Sequence, residues 1–293
     1  MSARVGAGSP RARTAADVAA AAQLACLLEV SAPKPGNVSP GRHFHDTRYE
    51  DFLASAVAIG PALAAAGDRT LGATILAAVD ATARWTRSNT NLGIILLLAP
   101  LARAALRGRG SLRDDVREVL AATTVADAAE VYTAIRRARP AGLGAAAAED
   151  VAAAPSVTLR DAMALAAERD SVAREYATGF DITFGTGAPA LRAARGTGLD
   201  WSDAVVETYL RLLGTVPDTH IARKLGPAVA EAVSRRAREV EQAGGVRTED
   251  GRRALAAFDA ELRGPTNSHN PGTAADLTCA ALFVVILEHS RNR

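Results

Sequence analysis

At 293 residues the chain can bury a sizeable core without disulfides or a structural metal. Its 34 basic and 32 acidic side chains leave a net charge of +2, which excludes a global basic field for nucleic acid or anionic membrane, so any polyanion must be gripped locally. Cys26 and Cys279 have no metal-type spacing, which argues against a zinc site and a disulfide framework; both read as buried thiols in apolar helices.

Residues 1–13 are polar and rich in Gly, Arg and Pro. They read as a disordered N-terminus with no apolar signal core. From residue 14 to 293 the pattern is that of one all-α domain. Its recurrent signal is Ser or Thr followed three positions on by an acid, which satisfies free N–H groups at a helix start. The pairs are Thr14/Asp17, Thr47/Glu50, Ser111/Asp114, Thr124/Asp127, Thr158/Asp161 and Thr273/Asp276. Each precedes an Ala/Leu-rich stretch with apolar residues at helical spacing, such as Val18, Ala21, Ala22, Ala25 and Leu28. Helices are predicted over 14–30, 47–66, 69–87, 91–107, 111–122, 125–138, 158–177, 200–213, 227–243, 248–263 and 273–290. That gives ten or more helices, with functional loops at one face. Strand signal is thin. The apolar runs Leu92–Leu101 and Cys279–Leu287 fall short of the roughly 20 residues that span a bilayer, so both read as core helices of a cytoplasmic protein. The alanine-rich stretch Ala145–Pro155 carries no assigned role.

Four loop regions exceed what a helical scaffold needs. In Ser31–Val38, Pro33 and Pro35 stiffen the backbone around Lys34, and Gly36 leaves the backbone bare beside Asn37. This strip suits a phosphate, or it is a helix-ending turn with a solvated lysine. Gly41–Asp46 offers His43, His45 and Asp46 for a metal or a proton, or is a polar surface loop. Arg87–Gly93 places Ser88, Asn89, Thr90 and Asn91 at the mouth of the most apolar helix, more polar groups than one cap requires. Pro217–Lys224 sets Asp218 near Arg223 and Lys224, an acid for Mg2+ with cations for phosphate or an exposed salt-bridged turn. Asn270 and Gly272 then precede the last helix beside Asp276.

In this order, five elements resemble the triphosphoribosyl-dephospho-CoA synthase family. They are Glu29 with Pro33-Lys34-Pro35-Gly36, Asp46 with Phe52, Asn89-Thr90-Asn91-Leu92-Gly93, Asp218-Thr219 with Arg223, and Pro271-Gly272 leading to Asp276-Leu277. The resemblance runs from about residue 18 to 288. Three departures stand out. Where the family reads Gly-Gly-Val-Asn-Thr-His-Lys-Gly, Asn91 and Leu92 replace the His and Lys. The family's glutamate in the preceding helix has no counterpart nearer than Asp80, and Asp218–Lys224 lacks an Arg-Gly-Gly. The chain is similar to a divergent branch associated with methanopterin-type one-carbon pathways.

The resemblance implies a transferase that moves the 5-triphosphoribosyl group of ATP to a hydroxyl, that of dephospho-CoA in the family, and releases adenine. It implies Mg2+, no nucleic acid or membrane partner, and as a default a homodimer. Breaking the N-glycosidic bond passes through an oxocarbenium-like state. The implied site has Glu29 or Asp46 as base. Lys34, Gly36, Asn37, Asn89, Thr90, Asn91, Arg223, Lys224, Asn270 and Gly272 bind nucleotide or phosphate, and Asp218 and Asp276 bind metal. The rival readings are a related transferase or hydrolase of another cofactor precursor, and a non-catalytic nucleotide-binding partner.

Overall fold

A computed structural model describes residues 13–140, 142, 144, 146, 148–264 and 267–290. The expected disordered N-terminus lies outside the described residues but for Arg13. Among the described residues the protein is all-α in one domain. In chain order the helices are α1 (Ala15–Ser31), α2 (Tyr49–Ala58), α3 (Gly60–Ala64), α4 (Leu71–Ala83), α5 (Leu92–Arg107), α6 (Leu112–Ala121), α7 (Val125–Ala138) and α8 (Leu159–Ala166). They continue as α9 (Ser171–Thr178), α10 (Ala188–Gly196), α11 (Trp201–Thr215), α12 (Thr219–Leu225), α13 (Pro227–Gln242), α14 (Glu249–Leu262) and α15 (Gly272–Ser290).

Two apolar helices form the centre. Ile95, Leu97, Leu98 and Leu101 of α5 and Leu282, Phe283, Val284 and Leu287 of α15 are fully buried. Each such side chain contributes about 1.5–3 kcal/mol relative to exposure. Helices α1, α5, α10 and α11 pack around α15, and α4 pairs with α7 beside α5. Alanines at Ala21, Ala22 and Ala25 let α1 approach α15 closely, and there the two buried thiols meet, Cys26 Sγ lying 3.7 Å from Cys279 Sγ. By length and composition α15 could cross a membrane, but 72% of that stretch is buried against the rest of the chain, as a core helix would be.

Most predicted caps form. Thr14 and Asp17 cap each other's backbones, as do Thr124 and Asp127, while Ser111 and Thr158 accept from the N–H groups of Asp114 and Asp161. At α2 the cap moves one residue, Asp51 accepting from the Arg48 N–H at 2.8 Å. The expected Thr273/Asp276 cap does not form. Helix α15 begins one residue earlier, and Asp218, distant in sequence, accepts from the Ala274 N–H at 2.8 Å. That substitution frees Asp276.

Two predicted helices divide. Pro61 starts α3 where 47–66 was expected to run on, because its ring suits a first turn and not an interior. Asp170 caps α9 by accepting from Val172 and Ala173 N–H, splitting 158–177. The expected break at 179–188 is instead a π-helical turn, Thr183–Gly187, running into α10. Buried Glu175 organises it, accepting from the N–H groups of Ile182 at 3.0 Å and Thr183 at 2.7 Å and from the Thr183 hydroxyl. Burial pushes the Glu175 carboxyl up to about 7 against those bonds.

Candidate functional site

The loops before α2, α5 and α15 converge with α7, α8, α9 and α12 on a cavity of about 1140 Å3, ample for two small substrates. Glu29, Asn37, Asp46, Asn89, Thr90, Asn91, Arg223, Lys224, Asn270, Gly272 and Asp276 line it, while Lys34, Gly36 and Asp218 do not.

Lys34 is turned inward. Its buried Nζ pairs with Glu29 Oε1 at 2.9 Å and donates to the carbonyls of Glu29 and, at 3.3 Å, Ala32. Those carbonyls end α1 without helical partners, and a cation there also suits the helix dipole. Gly36 serves the turn itself. Its φ is +74°, its N–H donates to Asp259 Oδ1 at 2.8 Å, and a Cβ would lie 2.9 Å from Leu262 Cβ. Asn37 donates to the Pro35 carbonyl at 3.2 Å and Tyr209 Oη at 3.0 Å. The stiff strip expected to cradle phosphate is therefore a buried joint, and from this region Glu29 is the carboxylate that reaches the cavity.

Asp218 is likewise structural. Oδ1 accepts from the N–H groups of His220 at 2.9 Å and Ile221 at 3.0 Å, and Oδ2 from Ala274. Burial pushes this carboxyl up to about 6, while the three N–H groups and Arg223 pull it down. Expected as a metal ligand, Asp218 lies outside the cavity wall and accepts from three backbone N–H groups. Asp218→Asn turns one acceptor into an NH2 facing an N–H, either at the α12 cap or at Ala274. The expected loss is about 1–3 kcal/mol, read as a lower urea midpoint. A midpoint equal to the wild type would show that the three bonds contribute nothing.

Asp276 differs. It faces Gly93 in the cavity wall and, among the described residues, makes no hydrogen bond or ion pair. Burial, then Glu29 and Asp218, hold its carboxyl well above the usual range. No group of three His, Cys, Asp or Glu side chains suited to a metal occurs among the described residues. Mg2+ requires no such group, since one or two carboxylates plus substrate phosphates hold it. Asp276, a buried carboxylate that an adjacent cation would stabilise, fits that donor set; Asp218 does not.

On α12, Arg223 Nη1 pairs with Asp170 Oδ2 at 2.6 Å, and Nη2 lies 3.3 Å from His220 Nδ1. Because a guanidinium only donates, Nδ1 accepts and the ring proton belongs on Nε2. Burial, then Lys224 and Arg223, push His220 down to about 3, so the imidazole is neutral. Arg223 Nε is buried without a hydrogen-bond partner among the described residues, and so is Asn270 Oδ1. Lys224 has no ion pair among them; burial and Arg223 lower its ammonium, against Asp218 and Asp46.

The central loop divides its labour. Asn89 Oδ1 accepts from the Leu92 N–H at 3.1 Å, starting α5. Thr90 Oγ1 lies 2.6 Å from Ser55 Oγ, and Asn91 Nδ2 donates to Thr82 Oγ1 at 3.2 Å. These bonds leave the Asn89 amide N–H2 and the Asn91 carbonyl for a ligand. Asp46 lies at the rim, largely exposed, with the Thr47 hydroxyl on Oδ1 at 3.1 Å; Ser88 donates to its carbonyl at 3.0 Å.

Four further residues that the sequence alone does not single out as ligands, His220, Asp170, Arg87 and Arg139, also lie in the cavity wall. His220 lies inside the Asp218–Lys224 motif and was legible there. Asp170 was hidden by reading 158–177 as one helix.

The family of ATP:dephospho-CoA triphosphoribosyl transferases matches residues 15–293. A 2-(5''-triphosphoribosyl)-3'-dephosphocoenzyme-A synthase of Klebsiella pneumoniae is 34% identical over 113 residues, 38% of this chain and 40% of that protein. A Pseudomonas fluorescens protein provisionally given the same name is 34% identical over 117 residues, 40% of each chain. These alignments therefore span about 40% of the curated relatives. A crystal structure from Archaeoglobus fulgidus, provisionally named triphosphoribosyl-dephospho-CoA synthase, is 30% identical with a TM-score of 0.62, covering 80% of this chain and 98% of that one. The chain belongs to the ATP:dephospho-CoA triphosphoribosyl transferase family.

Proposed function

We propose that this protein transfers the 5-triphosphoribosyl group of ATP to a hydroxyl of a small-molecule acceptor, dephospho-CoA in the first instance, and releases adenine. The observation that carries the reading is the set of uncommitted polar groups in one cavity wall: Arg223 Nε, Asn270 Oδ1, the Lys224 ammonium and the Asp276 carboxyl. Buried polar atoms are rarely left unpaired without a ligand or water to meet them.

Arg223 and Lys224 bind the triphosphate, Arg223 aimed by Asp170. Asp276 would hold Mg2+ against the same phosphates, and the ion would neutralise their charge. Glu29 is the base. One oxygen is fixed by Lys34 and the other takes the acceptor's hydroxyl proton, so that the alkoxide-like oxygen attacks C1′ as the C1′–N9 bond breaks. Adenine leaves with the bond's electrons and takes a proton at nitrogen from solvent, which the proton held on Glu29 then replaces. Asn270, Asn89 and Asn91 orient ribose and base, and neutral His220 offers its Nε2–H as a donor. Asp46, exposed at the rim, is the alternative base.

The test is to incubate the protein with ATP, Mg2+ and dephospho-CoA, following free adenine by chromatography and the coupled product by mass. Both are expected in equal amounts. Adenine without the coupled product moves the reading to another acceptor, which the Asn91 and Leu92 replacements favour as the second choice. Neither adenine nor product, with saturable ATP binding, leaves a binding protein.

A further inference from the structure

Three arginines of the cavity wall take no part in the triphosphate clamp. Arg87, before α5, and Arg137, in the last turn of α7, also line a small recess bounded by Asn89 and Asn91. Arg139 follows α7 in the same cavity wall. Arg137 is held by Asp80. The side chains of Arg87 and Arg139 have no hydrogen bond or ion pair among the described residues.

A cation at a helix C-terminus suits the helix dipole, and that alone would explain Arg137. It does not explain Arg139. This residue closes α7 with φ +49°, its N–H bonded to the Ile135 carbonyl at 3.1 Å. Glycine is the residue such a left-handed cap favours. Here a residue other than glycine bears the left-handed cap, and its guanidinium, unpaired among the described residues, lines the same cavity as Arg87 and Arg137.

We propose that Arg87, Arg137 and Arg139, which line the same cavity, form an anion subsite for a phosphate-bearing acceptor, built from residues other than the Arg223 and Lys224 of the triphosphate clamp. This rests on reading the cavity as a two-substrate transferase site. Guanidinium forks take phosphate oxygens in pairs. Asp80 restrains one of the three, and the other two keep all their side-chain donors.

The test is calorimetric titration of the full chain, loaded with ATP and Mg2+, with 4′-phosphopantetheine and with pantetheine, which differ by one phosphate. The wild type is expected to prefer the phosphorylated compound by at least ~10-fold. In Arg87→Ala/Arg139→Ala the preference should fall below about threefold, with ATP affinity within about twofold. Arg139→Gly should weaken phosphopantetheine binding while raising Tm, a combination that a purely structural arginine would not give. A wild type without the preference, a double variant that keeps it, or a parallel loss of ATP binding overturns the subsite. Phosphopantetheine binding needs no turnover. A protein that shows the preference but never releases adenine would therefore sink the transfer reading alone.

Discussion

Gly93→Ala is expected to lower turnover by at least ~100-fold while leaving the protein folded. Gly93 is the second residue of α5, where an alanine would ordinarily stabilise a helix by about 0.5–1 kcal/mol. Here a Cβ would lie 2.6 Å from Asp276 Cγ, with Oδ2 closer still. A carboxyl so placed must move, and overpacking of this kind costs about 1–3 kcal/mol, which outweighs the propensity gain. The sign of the Tm change thus decides between the two effects: a fall means collision, a rise means the wall yields. Gly93→Ala/Asp276→Ala removes the colliding oxygens and should recover stability without recovering adenine release. Wild-type turnover in Gly93→Ala would mean that the position of Asp276 is irrelevant to the chemistry.

Gly93 also marks where the sequence could be read and where it could not. The all-α architecture was legible because caps and helical spacing are local, and Thr14, Ser111, Thr124 and Thr158 cap where expected. The convergence of the loops on one cavity was also legible, since chemistry-bearing residues gathered at helix breaks. The direction in which a side chain points was not. Lys34 reads as a phosphate ligand because nothing local reveals that the end of α1 needs a cation. Asp218 and Asp276 read alike in sequence, yet one is consumed by three N–H groups and the other is bare. The difference is tertiary: Asp218 reaches across 56 residues to cap α15, displacing the local cap that Asp276 would have made. Arg139 carries no motif, and Arg87, though it opens the central loop, gains a cationic neighbour only from the fold, which sets Arg137 of α7 beside that loop.

Lys34→Met should destabilise the protein by about 3–5 kcal/mol, because it leaves Glu29 buried without its counter-charge. The pair is nearly dry, with side-chain exposures of 0% for Lys34 and 6% for Glu29, and the lysine also holds two carbonyls at the end of α1. Two roles for Lys34 predict different readouts. A phosphate ligand would raise the KM for ATP strongly with little change in stability. A buried counter-charge lowers the urea midpoint, while the protein that remains folded binds ATP within about threefold of the wild type. The second pattern is expected. Glu29→Leu/Lys34→Met separates Glu29 from its partner, since an apolar pair of similar volume is often neutral or stabilising by about 1–4 kcal/mol. That double variant should regain most of the stability lost in Lys34→Met and yet release no adenine, because the proposed base is gone. If it turns over normally, Glu29 belongs to the fold alone, and Asp46 becomes the base to test.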